Sequence, residues 1–206
     1  RITFFIVMIC TLQTFAQDMY LQCGEIFDSE SGKFLSERTI VVSGNKIKSV
    51  EKGFVSGTDA DSIIELRSKT VLPGFIDMHV HIEGESSPSR YLERFTKNDV
   101  DVAFQSTVYA KRTLMAGFTA VRDLGGSGVN IALRKAISKG IVTGPRIFTA
   151  GKAIATTGGH ADPTNGVRKE LMHDPGPKEG VVNSPEDARK AVRQRYKNGA
   201  DAIKIT

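Results

Sequence analysis

The sequence predicts an α/β chain: a small β-rich portion, then strands alternating with helices around a parallel sheet. Three observations carry this. Short β-type runs separated by turn residues fill positions 19–72, and from residue 71 onward apolar runs alternate with helix-period stretches through four cycles. Gly or Pro stands at most of the junctions. With 206 residues, 40% hydrophobic and 25% charged, the composition is that of an ordinary globular chain with enough apolar residues for a core.

Taken in order, the chain opens with an apolar run from Phe4 to Leu12 followed by Thr14-Phe15-Ala16. The run is too short to span a bilayer and ends in the small residues a signal peptidase needs. The expectation is a signal peptide over 1–17 and export to the periplasm or the medium, without a lipid or membrane anchor. Cys10 falls in that leader and Cys23 beyond it, so removal of the leader leaves one thiol and no internal disulfide. Residues 18–72 then read as a β-sandwich portion with an exposed sheet edge, built from MYLQCGEIFD, RTIVVSGNKIKSVEKG and SIIELRSKTVL; Ser43-Gly44-Asn45 marks a hairpin.

The stretch Val71 to Gly84 reads as the first, buried strand of the alternating region, opening after the Pro73-Gly74 turn and closing on His79 and His81. Alternation places Asp77, His79 and His81 on one face and Ile76, Met78 and Val80 on the other. A polar loop is expected over 83–98, then a helix whose apolar stripe is Val100, Ala103, Phe104, Thr107, Val108, Leu114 and Met115, ended by Gly117. Residues 118–122 make the second strand, 130–138 the second helix and 145–150 the third strand. Residues 151–183 have little periodicity, and a loop of that length is functional or disordered. Ser184-Pro185-Glu186-Asp187 starts the last helix, with Ala188, Ala191, Val192 and Arg195 as its buried stripe and Gly199 as its end. Residues 201–206 make the fourth strand. No Gly-x-Gly-x-x-Gly turn follows a strand, which weighs against a dinucleotide fold.

The string Pro-Gly-Phe-Ile-Asp-Met-His-Val-His (73–81), with Ala-Gly-Phe-Thr-Ala-Val-Arg-Asp (116–123) and Gly-Ala-Asp-Ala-Ile-Lys-Ile (199–205), resembles the amidohydrolase superfamily, in the branch of Xaa-Pro dipeptidases and imidazolonepropionase-related proteins. The resemblance implies that 73–206 is the first half of a (β/α)8 TIM barrel, since a whole barrel takes roughly 250 residues. A chain that begins without Met and stops inside a strand is then expected to be an N-terminal fragment, inactive and unstable alone. The resemblance implies a metal-dependent hydrolase of C–N bonds in small substrates such as dipeptides or N-acyl amino acids. A cyclic-amide hydrolase or deaminase of the same fold, and a non-catalytic barrel scaffold, remain alternatives.

Site expectations follow. Two imidazoles at the end of a strand are natural ligands for a divalent cation. Lys204, directed into a barrel interior, loses hydration unless something uses its amine, although alone it reads as well as a lysine reaching solvent. By resemblance, His79 and His81 hold the more buried of two zinc ions, and carboxylated Lys204 bridges both. His160, between glycines and Ala-Asp on the loop after strand three, is expected to bind substrate. His173 is expected on the loop surface, Asp77 in core hydrogen bonding, and Arg122 with Asp123 in an ion pair. No catalytic residue is assigned within the chain, because the general-base aspartate is expected beyond Thr206. The net charge of +5 comes from lysines and arginines spread over helix faces, which excludes a dense nucleic-acid-binding patch. The partner is a small molecule or dipeptide, and homo-oligomerisation is compatible with the sequence.

Overall fold

The structure, a computed structural model, describes residues 17–58 and 62–206; the leader lies outside the described residues apart from Gln17. The chain divides into two compact units, one ending at Pro73 and the other beginning at Gly74.

The first unit is a four-stranded mixed sheet of order β3-β2-β1-β4, with β1 Asp18–Asp28, β2 Lys33–Ser43, β3 Lys46–Lys52 and β4 Ser62–Val71. β1 pairs antiparallel with β2 and parallel with β4, and β2 turns into β3 through Gly44 (φ 59°) and Asn45. The described residues of this unit form one sheet. β2 also starts earlier than the sequence suggests, with Glu37 at φ 49° absorbed within the strand. Cys23, Ile26 and Val41 are buried, and burial raises the pKa of the free Cys23 thiol.

Two buried polar side chains strap residues 53–55 to the sheet. Thr39 Oγ1 donates to the Gly53 carbonyl at 2.8 Å and accepts from Val55 N at 3.0 Å, while Gln22 Nε2 donates to the Val55 carbonyl at 3.0 Å. Thr39→Val keeps the shape but leaves a carbonyl and an N–H unmatched. The expected loss in a denaturant titration that follows this sheet is about 1–3 kcal/mol.

The second unit is mixed α/β. Its parallel sheet, in order β5-β6-β7, comprises β5 Phe75–Val80, β6 Phe118–Asp123 and β7 Arg146–Thr149. The helices are α1 Arg90–Thr96, α2 Asp99–Met115, α3 Val129–Ser138 and α4 Pro185–Asn198. Ile82, Ala110, Val121, Leu133 and Ile147 form the core between strands and helices, with Val80, Phe118, Ile137 and Val142 around it. This alternation is consistent with part of a (β/α)8 barrel.

α4 follows its sequence signals: Ser184 Oγ accepts from Asp187 N at 3.1 Å, and Gly199 closes the helix at φ 92°. Three other expectations are corrected. The polar loop over 83–98 contains α1, a two-turn helix with no buried residue, whose Tyr91, Leu92 and Phe95 stay exposed. In α2 the buried positions are Ser106 and Ala110, whereas Phe104 and Met115 are exposed; small residues at i, i+4 let the helix approach the sheet closely. Residues 201–206 make no continuous strand. They run beside 149–154 through Asp201 N to Thr149 O (2.7 Å), Ile154 N to Lys204 O (2.8 Å) and Thr206 N to Ile154 O (2.9 Å). Gly151, at φ 63°, bends the neighbouring chain and interrupts the ladder.

Candidate active site

The carboxyl ends of the parallel strands open into a cavity of about 380 Å³. His79 at the end of β5 and His81 just past it both border it, their ring centroids 5.4 Å apart. His81 Nδ1 lies 3.0 Å from the Gly125 carbonyl. With the proton on Nδ1 donated to that carbonyl, the Nε2 lone pair is left free, the state a metal-ligating imidazole needs. A Cβ at Gly125 would lie 3.1 Å from His81 Cε1, so any other residue in the turn after β6 would push the ring by a few tenths of an ångström.

The remaining wall comes from residues remote in sequence. Lys204, half-buried, reaches the same cavity from the segment beside 154, and its ammonium makes no hydrogen bond or ion pair among the described residues. His160 borders it from the loop after β7, together with Lys152 and Glu179. His173, expected on the loop surface, also borders the cavity, so all four histidines of the chain meet there. The loop is held in place by Asp162, whose carboxylate accepts from Gly158 N, Thr164 N and Thr164 Oγ1 at 2.7–2.8 Å. Those bonds also hold the Asp162 carboxyl below its usual pKa. Lys152, Glu179 and His173 were beyond sequence reasoning, since an aperiodic loop gives no facing rule; its density of titratable residues was the one available signal.

Behind the imidazoles lies a pair of carboxylates. Asp123 is fully buried; its oxygens accept from Ile82 N (3.3 Å) and Gly125 N (3.1 Å). Burial, reinforced by the nearby Glu83 charge, pushes its pKa up to about 6 against the pull of the N–H donors. The expected ion pair with Arg122 does not form. Neighbouring strand residues point to opposite faces, and Arg122 Nε donates to the Met78 carbonyl at 2.8 Å. Glu83 accepts from Ser127 N (2.6 Å) and Asn130 N (2.7 Å), capping the start of α3. Asp77 Oδ1 accepts from His79 N at 2.9 Å, a local bond within β5.

The donor set fits a divalent cation in part. Two imidazoles, one with its Nδ1 against a carbonyl, and an amine border one cavity, but among the described residues no group of three His, Cys, Asp or Glu is positioned to hold a metal. More ligands would be needed to complete such a site. Among the described residues no helix is long and apolar enough to cross a membrane.

Comparison with known proteins gives a consistent result. The chain superposes with a TM-score of 0.85 on a crystal structure of a Xaa-Pro dipeptidase with bound methionine in the active site, at 47% identity over 92% of this chain and 47% of the other. With a prolidase complexed with N-methylphosphonate-L-proline the TM-score is 0.77 at 35% identity, over 92% of this chain and 46% of the other. A curated relative, ochratoxinase of Aspergillus niger, is 27% identical over 186 residues, 83% of this chain and 37% of that protein. The chain thus spans about half the length of these solved structures and 37% of that relative. Residues 70–206 match the amidohydrolase family model, and the chain belongs to that family, whose members are typically metal-dependent.

Proposed function

We propose that the protein containing this chain is a metal-dependent hydrolase that cleaves amide bonds in small substrates such as dipeptides or N-acyl amino acids. The observation that carries this reading is one cavity bordered by His79, His81, His160, His173 and Lys204 in a chain 47% identical to a Xaa-Pro dipeptidase. His79, His81 and a carboxylated Lys204 would be this chain's ligands for metal, zinc in this reading and about two ions per complete protein. Bound metal would supply a water of lowered pKa and Lewis-acid polarisation of the scissile carbonyl.

The chain's own residues do the rest of the work assigned here. The Gly125 carbonyl orients the His81 ring and holds its proton on Nδ1. Lys204, once its ammonium has lost one proton and the neutral Nζ has added carbon dioxide with release of a second, would present a carboxylate carrying one negative charge in place of a cation. His160 binds substrate, with His173 and Lys152 on the same wall offering hydrogen-bond donors to a substrate carboxylate. The general base is assigned to an aspartate outside this chain, and the leader directs export to the periplasm or the medium.

The test is a substrate panel of dipeptides including Xaa-Pro, N-acyl amino acids and cyclic amides, run on the full-length protein with metal analysis. Chelator-sensitive hydrolysis of the first two classes is expected. Hydrolysis confined to cyclic amides, or a metal-free folded protein without activity, overturns the proposal.

A further inference from the structure

Two carboxylates lock the turns after β5 and β6 to one another. Asp123, the last residue of β6, accepts from Ile82 N at 3.3 Å, just past β5. Glu83, also just past β5, accepts from Ser127 N (2.6 Å) and Asn130 N (2.7 Å), beyond β6. The exchange is reciprocal: each strand end lends its acid to the turn that follows the other. His81 stands inside this lock, its Nδ1 3.0 Å from the Gly125 carbonyl, and Gly125 N is itself held by Asp123 Oδ1 at 3.1 Å. We propose that Asp123, with Glu83 as its counterpart, is a positioning residue that fixes the ring orientation and tautomer of His81. This deepens the proposed function and rests on the reading of His81 as a metal ligand there.

The path from Asp123 to the imidazole is short. One carboxylate oxygen holds the residue that follows His81, and the other holds the residue whose carbonyl meets the ring. The backbone that carries the ring and the acceptor that orients it are therefore tied to a single side chain. Asp123 is fully buried and pairs with no cation among the described residues. A buried acid with a second acid beside it costs stability that a neutral side chain would not, and proteins keep such costs chiefly at functional sites. A ligating imidazole is held in one tautomer by a partner on its other nitrogen, and that partner needs its own anchor. His79 lies outside the lock. Its backbone N donates to Asp77 within β5, and no carbonyl holds its ring among the described residues.

The experiment is a long-range proton–nitrogen NMR correlation of the full-length protein, labelled at histidine and stripped of metal, at a pH above the imidazole range. In the wild type, His81 should carry its proton on Nδ1 and leave Nε2 bare. Asp123→Asn keeps one acceptor oxygen but sets an amide against the other N–H, so His81 should shift toward the Nε2–H tautomer while His79 keeps its resonances. In chelator competition with zinc as the probe, the same variant should bind metal about 10- to 100-fold more weakly. Glu83→Gln, at a half-buried position that tolerates exchange better, should move His81 in the same direction. An unchanged His81 tautomer in both variants, or equal displacement of the His79 and His81 signals, overturns the proposal. A protein that gives the expected tautomer and its response to Asp123→Asn, yet binds no zinc, upholds the positioning role and overturns the metal-hydrolase reading instead.

Discussion

Lys204→Ala in the full-length protein should lower kcat/KM for its amide substrate by at least about 100-fold and reduce bound metal from about two ions per chain toward one. The amine reaches the histidine cavity from a segment anchored by Ile154 N to Lys204 O and Thr206 N to Ile154 O, so truncation at Cβ leaves the backbone bonds in place. In the proposed site, what is lost is the group that would, once carboxylated, supply the bridging charge. Added acetate should restore part of the activity to Lys204→Ala, because a small carboxylate can occupy the space of the missing carbamate. Wild-type kinetics and metal content in the variant would remove Lys204 from the site.

Asp123→Asn should change stability in a pH-dependent way. In the folded protein burial raises the Asp123 pKa from 3.8 to about 6. Between those values the folded state holds the proton that the unfolded chain has released, so stability falls as pH rises through the window and levels off above about 6. The full change is up to about 3 kcal/mol. Asparagine is neutral throughout. The destabilisation caused by Asp123→Asn, from the imperfect replacement of an oxygen facing Ile82 N or Gly125 N, should therefore be larger at pH 4 than at pH 7.5 by up to that amount. Paired denaturant titrations at the two pH values measure it, and a difference that is flat with pH would show the carboxyl ionising normally.

The sequence made some of this legible for definite reasons. The alternation of a strand carries His79 and His81 to one cavity whatever the rest of the chain does, and the cap residues of α4 act within four positions of each other. Lys204 could be aimed from the same alternation even though its segment forms isolated bridges rather than a ladder. His173, Lys152 and Glu179 could not, because their convergence depends on bonds such as Asp162 to Gly158 N, made by a loop without a period. Asp123 was misread for a different reason: its sequence neighbour Arg122 is the obvious charge partner, yet a strand separates adjacent side chains by its full thickness. α1 carries Tyr91, Leu92 and Phe95 at helical spacing, but seven residues are too short a window to tell that spacing from a loop.

The turn Gly125-Gly126 touches two side chains of the preceding segment at once: a methyl group on Gly125 would press on the His81 ring, and one on Gly126 would lie 2.5 Å from Glu83 Oε1. Divergence at this turn is thereby tied to residues more than forty positions upstream. Among descendants of a common ancestor the two glycines should drift last, and lineages that have lost the imidazole should be the ones in which they are first replaced.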